Sequence, residues 1–233
     1  MRIGIIADVH ANLPALEAVL EALEAANVDT YLCAGDLVGY GPWPNECVER
    51  VAALPGLCVA GNHDLIATGR LGDGRCEPLA RTTLAWTREH LGSDARAYLE
   101  ALPLSARLDD VLLAHGSPED PERALTAARA EEALESLDPD VRVLVVGHTH
   151  RPLSVSAGSA RLLNPGAVGQ SRELRVRARA LVLDRATGDA RFLAVRYDTA
   201  RVRRALAVAG LPRRAYHLPP SPARRLARRI GRR

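Results

Sequence analysis

Short apolar runs, separated by amphipathic segments, set the order of predicted elements in the first 60 residues. Buried strands are predicted for three of these runs, at residues 2–7, 31–34 and 57–60. Between the first two strands, Asn12 can cap a helix in which apolar residues recur at helical spacing. Pro44 is expected to open a second helix that runs to residue 53. This part of the chain therefore predicts a βαβαβ order.

Turn residues divide the rest of the chain into hairpins and helices. Hairpins are predicted over residues 107–114, 153–163 and 180–195. A further buried strand is expected at residues 141–146, and a glycine-rich loop at residues 69–76. Helices are expected at residues 78–90, 93–102 (capped by Ser93), 131–137 and 199–209. The pattern predicts two sheets packed together with helices outside, in one domain.

Polar side chains that can bind a metal follow most of the predicted strands. Residues 147–150 read Gly-His-Thr-His, and residues two apart in extended backbone point to the same side. Ligands in open α/β sheets lie at the carboxyl ends of strands, so these side chains are expected to converge. The strand-end candidates are Asp8, His10, Asp36, Asn62, His115, His148 and His150.

The mixture of carboxylate, amide and imidazole groups indicates which metals are suitable. Such a set favours Mn²⁺, Fe, Zn²⁺, Ni²⁺ or Co²⁺ over Ca²⁺ or an iron–sulfur cluster. Two ions that share one carboxylate would use every member of the set and would position a hydroxide for in-line attack on phosphorus. The alternative is a scatter of structural residues, which would explain one histidine pair but not the whole set.

Composition and length limit the class of protein. The chain has 233 residues, 47% of them hydrophobic, which is ample for one core, and no apolar run reaches the length of a membrane span. The N-terminus enters a strand directly and lacks the features of a signal peptide. Four cysteines without CxxC spacing favour a reduced, cytoplasmic protein; they are Cys33, Cys47, Cys58 and Cys76.

Charge is distributed unevenly along the chain. Residues 199–233 contain 11 arginines and no acidic residue, whereas residues 1–198 carry 20 arginines against 28 Asp and Glu. We expect a single domain over residues 1–212, followed by a basic, Pro- and Arg-rich tail over residues 213–233. Such a tail can contact nucleic acid, anionic lipid or the acidic body, or can simply be solvated.

Five motifs, in chain order, resemble those of the calcineurin-like metallophosphoesterase superfamily. They are residues 8–10 (Asp-Val-His), 35–36 (Gly-Asp), 61–64 (Gly-Asn-His-Asp), His115 and 147–150 (Gly-His-Thr-His). The resemblance spans about residues 1–196 and is greatest to the small bacterial and archaeal phosphodiesterase branch. It implies an α/β fold, a four-layer α-β-β-α sandwich of two mixed sheets flanked by helices.

The resemblance also implies a role for each candidate. One metal ion would be held by Asp8, His10 and His150, the other by Asn62, His115 and His148, with Asp36 as the bridge. His63 resembles the histidine that approaches the scissile phosphate and can protonate the leaving oxygen. The implied cofactors are two divalent transition-metal ions, manganese first, with iron, zinc, nickel or cobalt as alternatives.

The chain departs from the protein serine/threonine phosphatase branch at three positions. That branch has an Asp that orients the catalytic histidine and an Arg that grips phosphate, where this chain has Gly39 and Tyr40. Another arginine of that branch is replaced by Ala60. Arginine is the usual bidentate grip for a phosphate dianion, so these departures argue against that type of activity. Asp64 is a candidate to orient His63 instead.

Three residues are candidates for contacts with the substrate. Arg151 and Arg172 flank the predicted site and can bind phosphate, although each can equally be a surface residue. Tyr40, like Trp43, can stack on a base or pack within a loop.

The expected function is hydrolysis of a small or nucleotide-like phosphodiester at a dinuclear metal centre. A phosphomonoesterase or a dinucleoside-polyphosphate hydrolase is the alternative among enzymes. A non-catalytic interaction scaffold of the same fold is the alternative from another class, but all seven ligand positions and His63 are present, which disfavours it.

Overall fold

The computed structural model describes residues 1–220 and is built on two five-stranded sheets. In the first sheet, three neighbouring strands are parallel, and an antiparallel hairpin extends the sheet at one edge. From edge to edge, this sheet contains β10 (Ala190–Val195), β9 (Ala178–Asp184), β1 (Arg2–Ile6), β2 (Thr30–Cys33) and β3 (Gly56–Cys58).

The second sheet is also mixed. Its three central strands are parallel, and each edge strand is antiparallel to its neighbour. From edge to edge, it contains β4 (Ser105–Leu108), β5 (Val111–Ala114), β6 (Val143–Val145), β8 (Ala160–Asn164) and β7 (Leu153–Ala157). Three hairpins, β4–β5, β7–β8 and β9–β10, lie where the sequence predicted them.

Seven helices are found among residues 1–220: α1 (Leu13–Glu24), α2 (Pro44–Ala52), α3 (Asn62–Thr68), α4 (Pro78–His90), α5 (Ser93–Ala101), α6 (Ala127–Glu135) and α7 (Thr199–Val208). As predicted, the Asn12 side chain caps α1 by accepting from the Ala15 backbone N–H at 3.3 Å. Pro44 is the first residue of α2, where its missing N–H is not needed. None of these helices is both long and apolar enough to cross a membrane.

The alternation of side chains in β1 separates two cores. Ile3 and Ile5 point between the sheets and pack with second-sheet residues such as Leu113. Ile6 points the other way, into the layer that contains α1 and α2. A separate apolar cluster attaches α6 to the outer face of the second sheet. The layers therefore run helix, sheet, sheet, helix, and the predicted four-layer sandwich is confirmed.

Three local predictions need correction. Asn62 was predicted as a strand-end residue, but it begins α3 because the backbone turns helical directly after Gly61. Ser93 does not cap α5; Gly92 is the N-cap and the Ser93 hydroxyl bonds to the Asp94 carboxylate instead. The helix expected at residues 131–137 begins four residues earlier and ends two earlier, as α6.

The beginning of the predicted tail packs on the body. Leu211 and Ala215 are buried against apolar residues of α7, and the Leu218 backbone N–H donates to the Ser171 carbonyl at 2.9 Å. The boundary at residue 212 stays a prediction, and the segment up to residue 218 contacts the domain. Residues 221–233, where nucleic-acid contact was predicted, lie outside the described residues.

Candidate metal centre and active site

The predicted ligands are carried by strand ends from both sheets. β1 and β2 are parallel, so their carboxyl ends bring Asp8, His10 and Asp36 to one edge of the first sheet. β5 and β6 are also parallel and bring His115, followed by residues 147–150, to the facing edge of the second sheet. Residues from the two halves of the sequence therefore meet in one site, as the sequence predicted for a single domain.

Left-handed backbone conformations are concentrated at this site. Nine non-glycine residues among residues 1–220 have positive φ, and six of them were predicted as metal ligands or substrate contacts. Such conformations are uncommon for non-glycine residues, and they cluster at functional sites where the surrounding fold imposes them. The six residues are Asp8, His10, Asp36, Tyr40, His148 and His150, with φ between 48° and 64°.

A first group of potential ligands is fully enclosed. Its ligand atoms lie within 4.8 Å of one another and belong to Asp8, His10, Asp36 and His150. His10 Nδ1 donates to the Val38 carbonyl at 3.1 Å and His150 Nδ1 to the Gln170 carbonyl at 2.9 Å. Each ring is thereby fixed with the lone pair of Nε2 directed into the group, which is the usual arrangement around a metal-binding imidazole.

A second group adjoins the first through Asp36. Asn62 Oδ1 lies 3.1 Å from both His115 Nε2 and His148 Nδ1. Asp36 Oδ2 is 3.3 Å from His115 Nε2 and 3.6 Å from His10 Nε2. The other Asp36 oxygen, Oδ1, accepts from the His63 backbone N–H at 2.8 Å. One carboxylate oxygen is therefore held by the backbone, and the other lies between the two groups.

The protonation of the site suits a bound cation. Burial lowers the pKa of His10 and His150 well below the usual range, which keeps both rings neutral. Burial likewise lowers the pKa of His148 to about 4. Burial also opposes a charge on His115, but the Asp36 carboxylate outweighs it and raises that pKa to about 10. A divalent ion would displace this proton, since ligands bind metals in their deprotonated form.

A buried oxygen without a partner also points to a cation. Asp8 is completely buried, and its Oδ2 has no hydrogen-bond partner among residues 1–220. Burial raises the pKa of Asp8 to about 7. A buried polar atom is normally satisfied. The other oxygen of Asp8, Oδ1, lies 3.4 Å from His150 Nε2 and 3.9 Å from His10 Nε2, so this carboxylate and the two rings offer the mixed donors that a divalent transition metal takes. The residues present therefore fit a divalent metal.

Asp64 fastens the two metal-binding loops of the first sheet. Its carboxylate accepts backbone N–H groups of Asp36, Leu37 and Val38 at 2.8–3.2 Å, and that of Gly61 at 2.9 Å. The bond to Gly61 also caps α3, where Asp64 is the third helical residue. The prediction that Asp64 orients His63 is wrong, because both carboxylate oxygens are taken by backbone N–H groups.

His63 is positioned by packing. Its Nδ1 is buried without a hydrogen-bond partner in the described chain, and it lies against Gly39, where a Cβ atom would come within 2.3 Å. The ring packs at 4.8 Å from the rings of Tyr40 and His10. Gly39, with φ of +84°, therefore makes the space that His63 occupies.

A cavity of about 210 Å³ opens beside the second group of ligands. The predicted site residues that line it are Tyr40, Asn62, His63, His148 and Arg172. Arg151 is not one of its lining residues, so its contact with substrate stays a prediction without support from the cavity. Trp43 instead lies under the Arg201 guanidinium, 5.6 Å from the ring centre, and packs in the helical layer.

The outer wall of the cavity was missed by the sequence analysis. It consists of Arg75, Cys76, Glu77, Ala80 and Glu122. Arg75 comes from the glycine-rich loop and pairs with Glu122 at 3.1 Å. In the sequence, Arg75 could be suspected of a role in the site only because it lies in a loop too long to be a simple turn. No feature of the sequence pointed to Glu122.

Buried imidazoles and carboxylates beside a cavity at the strand ends of a two-sheet sandwich define a metallohydrolase. Residues 1–188 match the family model of the calcineurin-like phosphoesterase superfamily domain, and the chain belongs to that superfamily. It is thus a phosphoric ester hydrolase of a family that depends on divalent metals. The predicted family and enzyme class are confirmed.

Relatives extend this assignment over most of the chain. A metallophosphoesterase structure from Sphaerobacter thermophilus is 37% identical, with a TM-score of 0.81, and covers 93% of this chain and 97% of that one. The uncharacterized protein MJ0912 of Methanocaldococcus jannaschii is 29% identical over 223 residues, which is 84% of this chain and 88% of that protein. The phosphodiesterase YfcE of Escherichia coli K12 is 28% identical over 175 residues, 72% of this chain and 79% of that protein.

Proposed function

We propose that this phosphoesterase is a phosphodiesterase with a dinuclear metal centre that Asp36 bridges. The observation that carries the proposal is the position of Asp36 Oδ2 between His10 Nε2 and His115 Nε2, next to a cavity. Asp8, His10 and His150 would hold one ion, and Asn62, His115 and His148 the other. The mixed oxygen and nitrogen donors suit manganese, with iron, zinc, nickel or cobalt as alternatives.

The bound ions would supply a low-pKa water as nucleophile and neutralise charge on the phosphoryl group. The chain's own residues supply orientation. The backbone bonds on His10, His115 and His150 fix three rings. Asp64 fixes the loop that carries Asp36 and the N-terminus of α3, where Asn62 lies. His148 and Asn62 face the cavity, so the substrate would reach the ions from that side.

His63 is the proposed proton donor to the leaving oxygen. It lines the cavity, and its buried Nδ1 faces Gly39, which leaves Nε2 as the nitrogen that can face substrate. His63→Ala should therefore slow a substrate with a poor leaving group more than one with a good leaving group. A series of aryl methyl phosphates with different phenol pKa values measures this, and an unchanged dependence on leaving group would refute the role.

The charge of the cavity wall favours a diester. Arg75 and Arg172 are offset by Glu77 and Glu122, and Arg75 is already paired with Glu122. Tyr40 and Ala60 stand where the protein serine/threonine phosphatases carry arginines. A diester carries one negative charge and has fewer free oxygens than a monoester, so it requires less positive charge from the wall.

A direct comparison of two model substrates tests the proposal. With Mn²⁺ added at equal loading, the enzyme should hydrolyse a bis-aryl phosphate with a higher kcat/KM than the matching mono-aryl phosphate. A clear preference for the monoester would refute the diesterase assignment and favour the phosphomonoesterase. The intact ligand set disfavours a non-catalytic scaffold.

A further inference from the structure

The C-terminal segment, residues 211–218, is bonded to the loop that connects β8 to β9. In that loop, the Ser171 N–H donates to the Tyr216 carbonyl at 3.1 Å, and the Ser171 carbonyl accepts from the Leu218 N–H at 2.9 Å. The two stretches of backbone therefore pair as a short parallel bridge between Ser171 and His217. The beginning of the predicted tail is thus attached to the loop that ends the second sheet and leads back to the first.

The His217 side chain adds a third bond to this loop. Its Nε2 lies 2.9 Å from the Glu173 carbonyl, and because a carbonyl only accepts, this nitrogen carries the hydrogen. Ser171 and Glu173 are the two neighbours of Arg172, so the backbone on both sides of Arg172 is bonded to residues 216–218. The position of Arg172 in the fold therefore depends on the C-terminal segment.

Arg172 brings a positive charge from this loop to the cavity. It lines the cavity, and its Nε donates to Gln170 Oε1 at 3.2 Å. This bond leaves the two terminal nitrogens of the guanidinium to donate to an anion. Arg75, which also lines the cavity, already pairs with the Glu122 carboxylate at 3.1 Å. Arg172 is therefore the better placed of these two arginines to bind an oxygen of the phosphoryl group.

Apolar packing joins the C-terminal segment to other parts of the cavity wall. Leu211 and Ala215 belong to a buried cluster that also contains Tyr40 and Ala80. Both of these residues line the cavity, Tyr40 from the loop after β2 and Ala80 from α4. Residues 199–218 therefore connect three separate parts of the wall: the loop after β2, helix α4 and the loop that carries Arg172.

We propose that the C-terminal segment is a positioning element that holds Arg172 at the cavity, where its guanidinium binds a phosphoryl oxygen of the substrate. The segment lies outside residues 1–188, the part of the chain that matches the family domain. It contributes none of the proposed metal ligands and acts on the substrate through Arg172. The proposal rests on the proposed function only in that the cavity receives the phosphoester.

Two truncations that differ by three residues test this proposal. A chain that ends at Leu218 keeps all three bonds to the loop, whereas a chain that ends at Ala215 loses them. With Mn²⁺ loaded, the Kd for inorganic phosphate, measured by calorimetry, should be about fivefold higher for the shorter chain, because a charge-assisted contact is weakened. The chain that ends at Leu218 is the matched control and should bind phosphate like the full chain. Equal Kd values for the two truncations would overturn the proposal.

Combining the truncations with Arg172→Met shows whether the C-terminal segment acts through Arg172. In the chain that ends at Leu218, Arg172→Met should raise the Kd for phosphate about tenfold, because the charge-assisted contact is lost. In the chain that ends at Ala215, the same substitution should raise Kd by less than about twofold, because Arg172 is no longer held in place. Equal effects of Arg172→Met in the two chains would contradict the proposal.

Metal content and a pair of point variants separate positioning from loss of structure. Elemental analysis should find the same metal content in both truncated chains. Metal loss from the shorter chain would overturn the proposal, because the Gln170 carbonyl supports His150 from the same loop. Should the shorter chain fail to fold, His217→Leu should weaken phosphate binding about threefold, and His217→Gln, which keeps a donor in a similar position, should restore it. Wild-type affinity in His217→Leu would then overturn the proposal.

This proposal and the diesterase proposal fail in different experiments. A wild-type enzyme that prefers the mono-aryl phosphate, with phosphate binding weakened in the chain that ends at Ala215, would refute the diesterase and support the role of the C-terminal segment. Phosphate binding that is the same in both truncated chains would refute that role, whichever ester is preferred.

Discussion

The two groups of candidate metal ligands differ in their exposure to the cavity, and they are called here the enclosed half (Asp8, His10 and His150) and the open half (Asn62, His115 and His148). Asp8, His10 and His150 are 0–3% exposed and do not line the cavity. Asn62 and His148, in the other half, line it directly, and Asn62 is 7% exposed. The enclosed half is therefore shielded from the cavity, whereas the open half is the side from which a substrate would approach a bound metal ion.

The halves also differ in how their ligands are held. In the enclosed half, two histidines donate from Nδ1 to backbone carbonyls, so their geometry is fixed by the fold. In the open half, His115 is held in the same way, by the Ala34 carbonyl at 2.6 Å, whereas His148 has its Nδ1 3.1 Å from Asn62 Oδ1. The comparison teaches that the three histidine rings away from the cavity are held by backbone carbonyls, whereas the ring of His148, which lines the cavity, is placed beside a neighbouring ligand. Asp36 lies between the two halves.

The largest effect is expected for Asp36→Ala. Because Asp36 Oδ2 lies between the halves, its loss should release metal from both and reduce kcat/KM by about a thousandfold. His115→Ala, in contrast, should mainly weaken the open half. Elemental analysis of dialysed protein measures both, with Asp140→Ala, an exposed carboxylate, as the control. Two ions per chain and full activity in Asp36→Ala would show that Asp36 is not the bridge.

The second effect is on stability. Asp64→Ala leaves four backbone N–H groups of the two metal-binding loops without their acceptor. The metal-free chain should lose at least about 4 kcal/mol in free energy of unfolding, since each of the four unsatisfied buried donors costs on the order of 1–3 kcal/mol. Denaturant unfolding of metal-free wild type and variant checks this. A loss below about 1 kcal/mol would mean that other contacts hold the loops.

A smaller effect is expected at the outer wall of the open half. Arg75→Met leaves the Glu122 carboxylate unpaired at the cavity, so KM should rise more for a dianionic monoester than for a diester. The rise should be only about threefold, and smaller in high salt, because the Arg75 side chain is 73% exposed. Arg129→Met on α6 serves as the control. Equal changes in KM for the two esters would show that the charge of the cavity wall does not determine the preference for a diester.

The smallest effect is expected for removal of residues 219–233. All proposed ligands precede residue 151, and truncation after Leu218 keeps the contact between Leu218 and Ser171. Hydrolysis of a small substrate should therefore stay within about twofold of the full chain, a change worth less than RT. A tenfold or larger loss of kcat/KM on truncation would show that the removed residues contribute to the active site.

The sequence named the ligand candidates of both halves, for a physical reason. A buried strand followed by a polar residue is a local pattern, so Asp8, His10 and Asp36 were identifiable from the order of apolar and polar residues. The helical start at Asn62 was missed because α3 has only seven residues, too few to show a period. The fold class followed from strand order and from the motifs.

The contacts that remained hidden depend on tertiary structure. Asp64 bonds to residues about 28 positions away, and Arg75 meets Glu122 across 47 positions, which no local period encodes. Gln170 belongs to none of the sequence motifs, and only the fold buries it beside Arg172. Specificity is therefore harder to predict than the metal ligands, since the wall of the cavity is assembled from separate loops.

The most direct test of the account is anomalous diffraction at the manganese edge from crystals of the Mn²⁺-loaded protein. We expect two peaks, one among Asp8, His10 and His150 and one among Asn62, His115 and His148, with Asp36 Oδ2 between them. A single peak in the enclosed half, from a preparation with full hydrolytic activity, would contradict the dinuclear centre.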